Sequence, residues 1–160
     1  MADFKAKKRH RRIIRKVEER FTIEVKPFEL NDEKDALYQL HKHRFKGYLQ
    51  RSLFQYINGD EAVEPYNLFD TYEVTIRDGE RLIAFSMFDL GDRAMASIMG
   101  VFHDDYKQFS LGTFTMLQEA EFAKSEGFEY YYPGYILHES TLFLFKSKEG
   151  EIKEKLVKKG

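Results

Sequence analysis

A chain of 160 residues with 42% apolar side chains is long enough for one substantial core and short for two ordinary domains, so one domain is expected. The absence of cysteine excludes a disulfide framework, a zinc ribbon, an iron–sulfur site and a cysteine nucleophile within these residues. The formal net charge of -1 hides an uneven spread, because residues 7–16 carry seven Lys or Arg and no acid.

Residues 3–19 favour helix, with Ile13, Ile14 and Val17 as a narrow apolar stripe on a charged surface. The cationic positions Arg9, Arg11, Arg12, Arg15 and Lys16 are candidates for gripping a nucleic-acid backbone, since they neutralise phosphates and release counterions. A solvated arm is the other reading of the same charge run. Residues 1–20 are therefore set apart as a basic arm or helix, and 21–160 as the main domain, with 142–160 unassigned. Residues 21–25 alternate as Phe-Thr-Ile-Glu-Val and predict a first strand ending at Pro27. Asn31 or Asp32 caps a helix running through Ala36, Leu37 and Leu40 towards Phe45. His41 and His43 lie two apart, point to different faces of that helix and make a poor metal pair. A second short helix is predicted over 48–56, followed by an acidic loop over 60–69.

Residues 71–89 make the clearest hairpin, with Asp78-Gly79 as its turn. A third strand over 94–102 completes an antiparallel meander. A helix over 110–125 follows, with Leu111, Met116, Ala120, Phe122 and Ala123 as its apolar positions, Phe114, Leu117 and Glu121 as a mixed set, and Gly127 as its stop. Residues 128–135 form the next strand, and 141–145 a further one before a lysine-rich tail. This order gives an α+β domain whose mixed, mainly antiparallel central sheet is flanked by helices. No apolar run approaches the ~20 residues of a bilayer span, and no apolar secretory segment opens the chain, so a cytoplasmic protein with no membrane partner is expected.

Function is expected where the strand over 94–102 turns into the following helix. A helix N-terminus offers unpaired N–H groups and the positive end of its dipole, and Gly112 would let a phosphate approach closely. Ser110, Leu111, Gly112 and Thr113 are the candidates there. An ordinary capped helix explains Ser110 and leaves Gly112 over, because glycine costs about 1 kcal/mol in a helix. His103 is the candidate proton acceptor, since it ends the strand beside the helix start and imidazole titrates near working pH. Asp104 would orient it or contact an incoming amine, and Asp89 is a second acidic candidate. Tyr131 and Tyr135 share one face of the last clear strand and Tyr130 and Tyr132 the other; one pair stacks on a base or grips an acyl group while the other enters the core.

The element order resembles the GNAT acyltransferase fold, in which this helix begins at a pyrophosphate-binding loop for acetyl-coenzyme A. Of the usual Arg/Gln-x-x-Gly-x-Gly/Ala loop only Gly112 survives, the other matching positions being Lys107 and Ser110. A narrower set of motifs resembles the C-terminal part of the arginyl/leucyl-tRNA–protein transferases, enzymes that append an amino acid to proteins bearing N-terminal degradation signals. Its pieces are Arg12-x-x-Arg15-Lys16, Ala36-Leu37-Tyr38, Leu49-x-x-Ser52, Leu82-Ile83-Ala84 with Asp89, and Ser97-x-x-x-Val101-Phe102-x-Asp104. Ser110-Leu111-Gly112-Thr113 and Tyr130-Tyr131-Tyr132-x-Gly134-Tyr135-Ile136 complete it. The departures are Phe102-His103-Asp104-Asp105 in place of Phe-Tyr-Asp-Pro, and Leu142-Phe-Leu-Phe-Lys146 in place of Lys-Met-x-Tyr-Lys.

The resemblance implies attack of a protein α-amino group on the ester joining leucine or arginine to the 3′ adenosine of a charged tRNA. It implies an acceptor with an acidic N-terminal residue, with Arg44 and Lys146 as candidates for contacting that acid, and no metal or cofactor beyond the aminoacyl-tRNA co-substrate. Backbone N–H groups where the fourth and fifth strands part would hold the oxyanion. An acyltransferase with a thioester donor, and a non-catalytic domain that binds tRNA or protein N-termini, are the alternatives.

Overall fold

The computed structural model describes residues 5–44, 50–58 and 70–133. Helix α1 (Lys8–Glu18) leads into β1 (Thr22–Pro27), α2 (Asp32–His41) with a 3₁₀ turn at Lys42–Arg44, and α3 (Leu53–Asn58). A meander of β2 (Asp70–Asp78), β3 (Arg81–Leu90) and β4 (Ala94–Phe102) follows. A 3₁₀ segment (Asp104–Phe109), α4 (Leu111–Ser125) and β5 (Tyr130–Tyr132) complete the described chain. The strands form one sheet in the order β1-β2-β3-β4-β5, antiparallel except for the parallel β4–β5 pair. This is the expected α+β domain with a mixed central sheet.

Local chemistry sets the element ends. Asn31 caps α2, its side chain accepting from the Lys34 N–H at 3.0 Å. Gly79 takes φ +60 in the β2–β3 turn, and Gly127 takes φ +80 just past α4, both in the left-handed region that glycine enters without strain. Pro27 closes β1, which is an edge strand and tolerates the missing donor.

Helices cover both faces of the sheet. On one face α1 and α4 pack Val17, Leu111 and Phe114 with Phe21, Ile76 and Ala84, and Ile13 and Ile14 lie against the same cluster. The basic arm is thus a docked helix whose apolar stripe is the one read from sequence. On the other face α2 and α3 pack Leu37, Tyr38 and Leu53 against Leu82, Phe85 and Val101. There a buried ion pair ties α2 to β2, with Lys34 Nζ 2.9 Å from Glu73 Oε1 and 2.8 Å from Oε2, and Lys34 also donating to the Glu29 carbonyl.

Several expectations need correction. The turn after β4 is a full 3₁₀ segment, in which Phe109 is drawn into the core beside Phe21. Phe114 and Leu117, assigned to a mixed face of α4, are fully buried, while Glu121 is exposed. The reason is that α4 lies between α1 and the sheet, so that most of its circumference is covered and a one-sided pattern is lost. Helix α3 begins at Leu53, five residues later than predicted. The loop 60–69, the strand 141–145, Tyr135, Lys146 and the tail lie outside the described residues.

Candidate functional site

Strand β4 pairs with β5 only from Ala94↔Tyr130 to Ala96↔Tyr132, although β4 runs on to Phe102. The pairing is described as far as Ala96↔Tyr132, and residues 134–160 lie outside the described residues. The β3–β4 register shifts just past Ala96: Met87 pairs with Met99 and Phe88 with Ser97, leaving Ile98 as the extra residue of a bulge. From Ile98 onward β4 has no partner on its β5 side among the described residues. This stretch of β4 opens beside the first turn of α4, whose N–H groups lack helical partners. Exposed Gly100 lies along this opening, and a Cβ on it would stand 3.8 Å from Thr115 Oγ1. Ile98, Tyr130 and Tyr132 are the exposed apolar residues around it.

The Ser-Leu-Gly-Thr stretch performs several jobs. Ser110 sits in the left-handed region at φ 56 and ψ 44, makes no side-chain cap, and accepts from Phe114 N–H through its carbonyl at 3.0 Å. The Leu111 side chain is fully buried in the α1–α4 core, so only its backbone faces the opening. Gly112 is explained by packing, because a Cβ there would meet Phe102 Cε1 at 3.2 Å. Thr113 is half-buried beside it.

His103 and Asp104 stand next to the opening, each already engaged. His103 Nε2 lies 2.6 Å from an Arg81 guanidinium nitrogen, which can only donate, so the lone pair that would take a proton from an amine is occupied. Its Nδ1 lies 3.2 Å from Asp105 N and 3.5 Å from Asp105 Oδ2. Asp104 pairs with Arg44, whose guanidinium also covers the Phe102 ring with its carbon 4.4 Å from the centroid. Arg44 is consequently committed to Asp104. The structure does not bring Asp89 to the same place. It pairs with Ala96 five residues along β3 from the Ala84↔Phe102 pair, roughly 17 Å away at strand rise, and accepts from Thr71 Oγ1 at 2.6 Å. His41 is buried with Nδ1 2.9 Å from the Phe102 carbonyl, whereas His43 is exposed.

The five cationic positions of α1 are all exposed. Lys16 donates to the Gln108 carbonyl at 2.9 Å, Arg11 donates to that of Ala6 at 2.8 Å, and Arg15 lies 3.9 Å from Glu19. Beneath them Arg11, Ile14, Arg15, Glu18 and Glu19 line a shallow groove of about 290 Å³.

Strand alternation turns Tyr131 inward and leaves Tyr130 and Tyr132 as the exposed rings. The Tyr131 hydroxyl donates to Glu119 Oε2 at 2.8 Å. Sequence reasoning missed Glu119. It is fully buried on α4, the hydroxyls of Ser86 on β3 and Ser97 on β4 stand near it, and Oε1 has no well-formed hydrogen bond among the described residues. Burial pushes its carboxyl up to about 7, against the pull of the three hydroxyls. Burial and the Glu119 charge also push the Tyr131 phenol upward. The available signal was spacing: Glu119 falls on the i, i+4 stripe of Leu111, Thr115 and Ala123, all of them buried.

The family described as "Arginine-tRNA-protein transferase, C terminus" matches residues 19–151. The chain belongs to this family. A relative named aspartate/glutamate leucyltransferase from Acinetobacter baumannii is 32% identical over 79 residues, covering 49% of this chain and 29% of that protein. Arginyl-tRNA--protein transferase 1 of Arabidopsis thaliana is 30% identical over 95 residues, covering 56% of this chain and 15% of that protein. The chain thus matches less than a third of the length of these curated relatives. Among solved structures, L-PGS from Bacillus licheniformis superposes with a TM-score of 0.57 at 12% identity, over 90% of this chain and 45% of that one. A C-terminal domain from an Agrobacterium fabrum lysylphosphatidylglycerol synthetase-type protein gives 0.54 at 15% identity, over 75% of this chain and 38% of that one. These likenesses bear on the fold, which agrees with the GNAT-like expectation. Among the described residues no helix is long and apolar enough to cross a membrane.

Proposed function

We propose that this arginine-tRNA-protein transferase-family chain transfers leucine or arginine from a charged tRNA to the α-amino group of a protein whose N-terminal residue is acidic. The observation that carries this reading is the Ile98 bulge and the exposed Gly100 of β4 beside the first turns of α4, which lie inside the stretch the family matches. Aminolysis of the ester needs the two substrates held together and a donor for the developing oxyanion. Backbone amides of β4 after the Ile98 bulge supply that donor. The α4 first turn at Ser110, Leu111, Gly112 and Thr113 faces a phosphate or ribose of the acceptor end through its backbone. Tyr130 and Tyr132 offer exposed rings for the terminal adenine, while Tyr131 supports the strand from within. Arg9, Arg12 and Arg15 grip the tRNA backbone. His103 and Asp104 hold the β4 end in shape through Arg81 and Arg44.

The test is transfer of labelled leucine or arginine from charged tRNA to peptides beginning with Asp or Glu, with a Gly-initiated peptide as control. Transfer confined to the acidic peptides, and tRNA binding weakened about tenfold or more in Arg9→Glu/Arg12→Glu, is the expected result. Retained tRNA binding without transfer points to a binding domain. No tRNA binding rejects the reading and leaves the thioester donors to be tried.

A further inference from the structure

The described site lacks a free proton acceptor. His103 Nε2 faces Arg81, Asp104 is held by Arg44, and Asp89, which pairs with Ala96 beside Ser97, accepts from Thr71 Oγ1 on the opposite face of the sheet. The buried carboxyls differ from one another: Glu73 is locked to Lys34 on the far face of the sheet, whereas Glu119 lies on the α4 face and accepts from the Tyr131 hydroxyl of β5. The groups facing Glu119 are Ser86 from β3, Ser97 from β4 and Tyr131 from β5, all neutral hydroxyls. Ser97 stands at the start of the Ile98 bulge, and Tyr131 lies in the last described β4–β5 pairing beside it. A chain of hydroxyls therefore runs from the bulge to a carboxylate that has no cation beside it among the described residues.

We propose that Glu119 is the proton store of the transfer reaction, reached from the opening through the hydroxyls of Ser97 and Tyr131. This rests on the aminoacyltransferase reading. The attacking α-amine forms a bond from nitrogen to the ester carbonyl carbon and releases one proton, which passes along the hydroxyls to Glu119. The bond from that carbon to the ribose 3′-oxygen breaks, and the leaving oxygen takes one proton back and departs as a hydroxyl. Glu119 ends each turnover as the carboxylate that began it. Its upward-shifted carboxyl suits both halves, since a group titrating near 7 accepts and returns a proton at little cost.

Glu119→Gln keeps the acceptor for Tyr131 and removes the store. The readout is kcat/KM for transfer to an Asp-initiated peptide between pH 5.5 and 9, beside the Kd for charged tRNA and the Tm. In the wild type two groups must be deprotonated, Glu119 and the peptide amine with its ordinary value of about 7.7–8.0, so log(kcat/KM) rises with a slope approaching 2 at the acid end. E119Q is expected to be about 10²-fold slower at pH 8, with an acid slope of 1 and unchanged tRNA Kd. Tyr131→Phe should slow transfer as well, and should add little in the E119Q background because both act on one proton path. E119Q or Y131F with wild-type rate and slope overturns the relay alone. A wild-type chain that binds and transfers nothing overturns the aminoacyltransferase reading and the relay with it.

Discussion

Two glutamates are buried on opposite faces of the same sheet, and they are treated differently. Glu73 on β2 meets the Lys34 ammonium at 2.8 Å, whereas Glu119 on α4 meets hydroxyls and, among the described residues, nothing cationic. Burial pushes both carboxyls upward, and at Glu73 the Lys34 contacts work against that push. An ion pair fixes a charge and with it the docking of α2. A carboxyl among hydroxyls has its charge unfixed, which suits a group that must change state. The α2 face therefore carries structure, and the α4 face holds the proposed proton store.

The sharpest way to break this contrast is Lys34→Met. Glu73 would be left buried and unpaired, costing about 3–5 kcal/mol near neutral pH in urea unfolding, with part of the loss recovered in acid as Glu73 protonates. A loss below about 1 kcal/mol would mean that the pair is not holding α2. Glu119→Gln should act with the opposite sign. The native carboxyl is raised from 4.5 to about 7, so the folded state keeps a proton that the unfolded chain has lost between those values, and wild-type stability falls as pH rises through that window. The substitution should thus stabilise by up to about 3 kcal/mol at pH 8 and by nearly nothing at pH 4. Equal stability of the two proteins at both pH values would place Glu119 in water.

Smaller effects probe how each face is assembled. Gly112→Val forces a branched side chain against Phe102 and should cost about 1–3 kcal/mol, much of it returned by Phe102→Leu. No coupling between the two changes would remove packing as the reason for that glycine. Asn31→Ala deletes the α2 cap and should cost about 1 kcal/mol, visible as a shift in the urea midpoint at constant m.

Much of the fold was legible because its signals are local. Asp78-Gly79 between alternating strands named the hairpin, Asn31 named the α2 start, and Gly127 the α4 stop. The stripe of Ile13, Ile14 and Val17 named the buried side of α1. The site was legible only in outline. Ser110 to Thr113 do stand beside the end of β4, yet Leu111 points into the core and Gly112 is reserved for Phe102. Asp89 and His103, fourteen positions apart and both near strand ends, fall at opposite ends of the β3–β4 ladder.

The sequence by itself determined the element order, the basic face of α1, the α+β class and the family motifs, since propensity, alternation and turn residues act over a few positions. Only the tertiary structure decided which groups are free to react. Arg81 reaches His103 across 22 positions, Lys34 reaches Glu73 across 39, and Glu119 collects hydroxyls from three strands. Such partners are chosen by strand register and helix docking, and no spacing within one segment encodes them.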